Sequence, residues 1–472
     1  MPNCLIDSTD AAVPVHAVSP DGYGAWLDAQ DARTQAWISS AGFSGQGGQT
    51  LALPGSGGEL AGLVYVIGGD EGRGGPWGWA ALYGGLPKGG TFYFAEDLHA
   101  DHVNDAALGF ALASYAYDHY RTAEAGDESG ASTGPYLVWP TGADQAYVRG
   151  AFGATKLVRD LINTPASDLG PAELAHAAKD LAEASGATYS DIVGVDLIRE
   201  GFPAIYAVGR GAEDSRAPRL VDFSWGRTDA PKVTLVGKGV CFDSGGLDIK
   251  SAAGMKLMKK DMGGAAHALG LASMIMAANL DVRLRVLIPA VENSVSDAAM
   301  RPLDVVATRK GLSIEIGHTD AEGRVILADA LALACEDQPD LILDFATLTG
   351  AARVALGTEI PALFCNDNDL ADTLLQAGEA TNDPLWRLPL HQPYKKAIRG
   401  KVADLRNDTD SSYGGAIMAA LFLQAFVEDG TSWAHVDLMA WNTSSGPGRP
   451  EGGEAMCLRA MFKTLKDRFA SE

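Results

Sequence analysis

Apolar positions in the first hundred residues are scattered among glycines, and long periodic runs are few. The stretch "GGDEGRGGPWGWAALYGGLPKGG" (68–90) reads as a loop by its turn residues, anchored by Trp77 and Trp79. "GTFYFAED" (90–97) reads as a strand, and 101–122 has the apolar spacing of an amphipathic helix. Residues 144–186 read as helix, Asn-Thr-Pro break, helix. Pro165 stops the first and Pro171 suits the first turn of the second. Beyond this point the pattern alternates. "RLVDFSW", "KVTLVG", "VRLRVLIPA", "DLILDFATLTG" and "WAHVDLMAW" read as strands. Helices are expected at 263–280, from about 320 onward, at 414–427 and at the carboxyl terminus. Such alternation predicts an α/β fold with a mixed, mostly parallel sheet flanked by helices, preceded by a smaller α/β domain. The expected division is 1–150 for the first domain, 151–170 for a connecting helix and linker, and 171–472 for the second. Sites in such folds lie at the carboxyl ends of strands.

Composition narrows the function classes. With 37 basic and 60 acidic residues the net charge is -23, a field that repels phosphate backbones and anionic lipid. Nucleic-acid binding is therefore not expected. No apolar run approaches the length that crosses a bilayer, and the start, "MPNCLIDSTDAAVPVHAV", does not read as a signal peptide. The five cysteines are odd in number and scattered, which argues for a reducing cytoplasm over a disulfide framework. Neither Cys-x-x-Cys nor His-Glu-x-x-His occurs, so thiolate and helix-borne histidine zinc sites are poor expectations. His99 and His102 read as surface or capping residues.

Chemistry collects in three segments. "VGKGVCFDSGGLDIK" (236–250) follows a strand and places Lys238 and Asp243 in a glycine-flanked turn, where backbone can approach a ligand closely. "MKLMKKDMGGAAHALG" (255–270) sets Asp261 directly before a small-residue helix. "GHTDAEGRVILADALALA" (317–334) sets Asp320 and Glu322 after a strand, at the mouth of an apolar helix. Each has an ordinary account taken singly. Asp243 suits a turn, Asp261 a helix cap, and Thr319 with Glu322 a capping box. Together, three glycine-bounded acidic turns within about one hundred residues exceed what capping explains.

"GKGVCFDSGG", "MKKDMGGAA" and "HTDAEGR", in this order and spacing, resemble the leucyl aminopeptidase family, the two-zinc cytosolic aminopeptidases. Supporting segments extend the resemblance over about 157–445, so that 171–472 would be a two-metal catalytic domain and 1–150 the family's variable amino-terminal domain. The resemblance implies one divalent ion on Lys238, Asp243, Asp261 and Glu322, and a second on Asp243, Asp320 and Glu322. Zinc or manganese is expected, with magnesium or cobalt also suited to such ligands. Lys250 and Arg324 are implied to be catalytic, Lys250 stabilising the tetrahedral oxyanion. Arg324, with backbone of Ala321, Gly323 and Leu348, would hold a bicarbonate ion acting as general base. Substrate contacts are expected from Lys250, Met258, Asp261, Thr347, Leu348 and Gly350. The implied activity is release of amino-terminal, leucine-like residues from peptides by a homohexamer.

Two departures stand out. His318 occupies a place where most relatives carry asparagine, and is read as a partner that orients a ligand. The tail "NTSSGPGRPEGGEAMCLRAMFKTL" also departs from the family pattern, which bears on the floor of the substrate pocket. The alternatives carried forward are a dipeptidase for particular dipeptides such as cysteinylglycine, a non-catalytic scaffold, and a DNA-binding relative.

Overall fold

The computed structural model describes residues 2–7, 11–68, 74–122 and 134–470. Two compact units emerge from the chain's own contacts: Met1–Gly153 with Ser444–Glu451, and Ala154–Thr443 with Gly452–Glu472.

The first unit is built on a six-stranded sheet of order Leu5–Ile6, Tyr136–Val138, Thr91–Phe94, Val13–Val18, Leu60–Val66, Thr50–Pro54. All neighbours are parallel except the last pair, which is antiparallel. The glycine-rich stretch read above as a loop instead contains a helix, Trp77–Gly85; its residues 69–73 lie outside the described residues. Packing overrides propensity here. Trp79, Ala80 and Leu82 are buried against the helix Ala100–Ala113. Gly109 permits the approach, since a Cβ there would lie 2.1 Å from the Pro76 carbonyl oxygen. The second helix ends at Ala113, short of the expected 122. His99 caps its start and is exposed.

The second unit carries a nine-stranded sheet. Its order is Trp386–Arg387, Ala362–Cys365, Trp433–Asp437, Leu341–Ala346, Lys232–Gly237, Arg283–Asn293, Arg219–Trp225, Thr188–Val193. The strand Gly239–Asp243 pairs beside these on Arg283–Asn293. The four central strands run parallel, and antiparallel pairs occur towards both edges. The sheet is therefore mixed and mostly parallel at its centre, as expected. Strand Leu341–Ala346 is buried along its whole length, the signature of a sheet covered on both faces. Helix Gly263–Ala277 is apolar nearly all round, and helix Glu322–Glu336 is buried from Glu322 to Cys335 except at Arg324. Among the described residues, no helix is long and apolar enough to cross a membrane.

One expected turn is a strand. After a break at Lys238 the chain resumes extended structure over Gly239–Asp243, parallel to Arg283–Asn293. The turn comes only after Asp243, at Gly245 and Gly246, both with positive φ. Asp243 thus sits at a strand's carboxyl end rather than within a turn.

Candidate functional site

The parallel strands end on one edge, and each terminus delivers a polar group. Lys238 follows Lys232–Gly237, Asp243 ends Gly239–Asp243, and Asn293 ends Arg283–Asn293. Thr347 follows Leu341–Ala346, and Asp437 ends Trp433–Asp437. A cavity of about 560 Å³ opens at these ends, lined by Lys238, Asp243, Lys250, Met258, Asp261, Asp320, Arg324, Thr347, Leu348 and Gly350 among others. That volume suits a ligand the size of a short peptide. Glu322 is also brought here: one oxygen of each of Asp243, Asp320 and Glu322 lies within 4.8 Å of the others.

Two lysines reach between the carboxylates. Lys238 Nζ lies 2.7 Å from Asp261 Oδ2 and 2.9 Å from Glu322 Oε1. Lys250 Nζ lies 2.8 Å from Asp243 Oδ2 and is also paired with Asp320. Gly323 makes the first of these contacts possible. A Cβ there would sit 2.5 Å from Lys238 Cε, so any other residue would displace the lysine from the helix start.

The electrostatics are those of an over-filled acidic site. Burial pushes Glu322 and Asp243 up from the ordinary carboxylate range; the charge of Asp243 raises Glu322 further and that of Asp261 raises Asp243. Burial also works against the charge on Lys238, but Asp261, Glu322 and Asp243 outweigh it and hold the amine as an ammonium. Asp261 is likewise penalised by burial yet ends below its usual value, because Lys238 and Lys260 favour its charge.

Hydrogen bonding sorts these acids. Asp243 Oδ1 accepts from the Gly245 amide at 2.9 Å and from Asn293 Nδ2 at 2.9 Å. Asp261 Oδ1 accepts from Thr347 Oγ1 at 2.7 Å. Asp261 Oδ2, Asp320 Oδ1 and Glu322 Oε1 are buried and face lysine ammonium groups, and the buried Glu322 Oε2 has no hydrogen-bond partner among the described residues. Buried oxygens left in this way cost about 1–3 kcal/mol each, more when charged. A donor set of carboxylate oxygens with no histidine, neutralised by ammonium groups, fits hard divalent cations.

The helix start departs from the capping box. Helix Glu322–Glu336 has no side-chain cap, and Glu322 is its first residue rather than its third. Thr319 turns elsewhere: its Oγ1 donates to the Gly245 carbonyl at 2.6 Å and accepts from the Asp248 amide at 2.8 Å. It clasps the turn after Asp243 to the turn before Asp320. Asp261 caps nothing either, since helix Gly263–Ala277 also lacks a side-chain cap. His318 is half-exposed, 3.7 Å from Asp248, and accepts from the Asp320 amide at 3.2 Å.

Arg324 is partly buried and donates to the Asn407 carbonyl at 2.7 Å, while its Nε has no partner among the described residues. Burial lowers its pKa. Gly323 lies in the first turn of the helix, where backbone amides lack intrahelical acceptors. Ala321 turns its carbonyl to Asn407 Nδ2 at 3.2 Å. The Leu348 amide donates to Asp437 Oδ1 at 3.0 Å.

Five participants escaped the sequence reading. Asn293 joins Asp243 to the Thr319 carbonyl, and Asn407 binds both flanks of the 317–321 turn. Asp437 fixes the 348–349 backbone. Lys260 and Arg353 line the cavity. Asn293 and Asp437 end the observed strands, but the strands expected over 282–290 and 433–441 stop short of the first and run past the second. The others carried no signal.

A family model described as "Cytosol aminopeptidase family, catalytic domain" matches residues 156–462, and one described as "M17 aminopeptidase, N-terminal domain" matches 13–128. A probable cytosol aminopeptidase of Roseiflexus castenholzii is 43% identical over 314 residues, 66% of this chain and 64% of that relative, just under two thirds of its length. The chain is similar to the crystal structure of a cytosol aminopeptidase from Coxiella burnetii, with TM-score 0.91 and 49% identity over 99% of this chain and 100% of that one. It is also similar to the bottromycin maturation enzyme BotP in complex with Mn, with TM-score 0.85 and 34% identity over 97% and 99%.

Proposed function

The chain belongs to the cytosol aminopeptidase family, and on that premise we propose that it is a metal-dependent aminopeptidase releasing amino-terminal residues from peptides. The observation that carries this reading is the cluster of Asp243, Asp320 and Glu322 carboxylates, in which the buried Glu322 Oε2 has no hydrogen-bond partner among the described residues. Lys238, Asp243, Asp261 and Glu322 would hold one divalent ion, and Asp243, Asp320 and Glu322 the other. Zinc or manganese suits them, and BotP is a relative captured with Mn. When bound, such ions supply Lewis-acid activation of water and of the scissile carbonyl. With two dications present the amine of Lys238 no longer needs its proton, and the lysine becomes free to ligate.

The remaining roles belong to side chains. Lys250 reaches into the cavity as a cation and stabilises negative charge growing on the carbonyl oxygen. Arg324, with its free Nε, and the first-turn amide of Gly323 offer an anion site at a helix start, suited to bicarbonate as general base. The Leu348 amide is already committed to Asp437, so Leu348 contributes to the pocket wall instead. Met258, Thr347, Leu348, Gly350 and Leu438 form the wall beside a substrate side chain. A leucine side chain would cover its apolar part. Peptides are the partner; a cytoplasmic location and a homohexamer are part of the same reading. The dipeptidase, scaffold and DNA-binding alternatives gain no observation of their own.

The test is hydrolysis of leucine p-nitroanilide by the purified full chain, with elemental analysis. Chelation should abolish cleavage and zinc or manganese should restore it. Cleavage that persists after complete metal removal would refute the reading.

A further inference from the structure

Five cations line the cavity: Lys238, Lys250, Lys260, Arg324 and Arg353. Lys238 and Lys250 each pair with two carboxylates, and Arg324 donates to a carbonyl. Lys260 differs. It is 4% exposed, in the turn Met258–Met262, and makes no hydrogen bond and no ion pair within 4 Å among the described residues.

The two carboxylates that act on Lys260 are already engaged. Asp261 takes Lys238 on Oδ2 and Thr347 Oγ1 on Oδ1. Asp437 takes the Leu348 and Thr349 amides on Oδ1 and Thr349 Oγ1 on Oδ2. Nor would ions in the site release a partner. Four carboxylates balance two dications, and Lys250 and Arg324 have their own tasks, so Lys260 stays uncompensated. An unpaired buried ammonium costs several kcal/mol. In a cavity wall, that cost is recovered when a ligand brings the anion. Met258 and Leu438 line the same cavity and exclude water from part of it, which strengthens such a pair.

We propose that Lys260 makes this pocket a receptor for a carboxylate of the peptide substrate, with exposed Arg353 adding attraction at the rim. The proposal rests on the aminopeptidase reading and names a substrate class for it. A peptide can bring a carboxylate here as the side chain of a first-residue Glu or Asp, or as the carboxyl terminus of a dipeptide. Met258 in the same turn, and Thr347 bonded to the neighbouring Asp261, are wall groups for the first residue's side chain, which favours the former.

The experiment compares kcat/KM of the metal-loaded full chain on two pairs of substrates. Glutamyl and glutaminyl p-nitroanilide differ in the side-chain charge; leucylglycine and its amide differ in the terminal charge. A preference of about tenfold or more for the acid in the first pair assigns the side chain, and in the second pair the terminus. Lys260→Met should bring the preferred ratio to about one while raising the relative rate on leucine p-nitroanilide. Ratios near one in the wild type overturn the proposal, as does a ratio that Lys260→Met leaves unchanged. Should that variant not fold, Lys260→Gln and the wild-type ratios decide. Cleavage of leucine p-nitroanilide with both ratios near one sinks this proposal alone; cleavage of no substrate sinks the aminopeptidase reading with it.

Discussion

Glu322 and Asp329 lie on the same helix, two turns apart, and both are buried. Their surroundings differ in kind. Asp329 Oδ2 accepts from the amides of Ala204 at 2.8 Å and Ile205 at 3.2 Å, and its Oδ1 from Arg309 at 2.8 Å. Glu322 has the ammonium of Lys238 2.9 Å from its Oε1, and its Oε2 has no hydrogen-bond partner among the described residues. Burial raises the pKa of both, so a displaced titration alone does not separate them. Partnering does. The middle of the helix spends a carboxylate on fastening two backbone segments. Its mouth keeps one unsatisfied, and the free energy that forfeits is available to a cation.

The largest expected effect separates these two carboxylates. Glu322→Gln should cut kcat/KM on leucine p-nitroanilide by about a thousandfold or more, roughly 4 kcal/mol of transition-state stabilisation. Asp329→Asn should leave kcat/KM of the folded protein nearly unchanged while lowering its stability in urea by about 1–3 kcal/mol, because one amide donor loses its acceptor. Equal activity losses in both variants would erase the distinction.

Next in size is the share of the pH dependence that belongs to Asp329. Its pKa is pushed up to about 7, chiefly by burial, against 3.8 when unfolded. A carboxyl raised in this way stabilises the fold fully below the unfolded value and loses that contribution as pH rises through the folded one. Urea unfolding of metal-free protein between pH 4 and 8 should therefore show a decline that is smaller in Asp329→Asn by up to roughly 4 kcal/mol, the remainder belonging to the raised Glu322 and Asp243. A profile shared by wild type and variant would place the titration elsewhere.

Metal addition sharpens the contrast with a smaller effect. At a hundredfold excess over Kd a bound ion adds about 2.7 kcal/mol to stability. The chelated wild type and Asp329→Asn should both gain this on adding zinc or manganese, read as a rise in Tm. Glu322→Gln should gain much less.

The same contrast explains what was legible. The alternation of the second unit could be read because its strands and helices bury whole faces, and burial leaves a period in the chain. The acids could be read because each lies beside glycines that let backbone and ligand come close, as Gly323 does for Lys238. Lys260 could not be told from Lys259 in "MKKD", since only tertiary packing decides that one is buried unpaired while the other reaches the Asn163 carbonyl. Asn407 lies more than eighty residues from the turn that it binds. The helix Trp77–Gly85 was hidden for the opposite reason. Its glycines signal a turn locally, and only tertiary structure shows Gly78 packed on Gly68 and Gly85 on Thr50.

The smallest effect concerns Thr319, where a local rule and the fold disagree. As a helix cap, its hydroxyl would hold the first-turn amides of Glu322–Glu336, and its loss would fray that helix. As a clasp, it holds the Asp248 amide and the Gly245 carbonyl, and its loss would loosen the 245–250 turn that carries Lys250. Thr319→Val keeps the shape and removes the hydroxyl, at a cost of about 1–2 kcal/mol by either account, so stability does not discriminate. Hydrogen exchange does. A clasp predicts faster exchange at the Asp248 amide with the amides of Glu322–Val325 unchanged, together with a fall in kcat as Lys250 loses its fixed position. Faster exchange at the helix start with Asp248 protected would restore the capping box. Thr319→Ser, which keeps the hydroxyl, should recover most of what valine loses under the clasp, including the protection at Asp248.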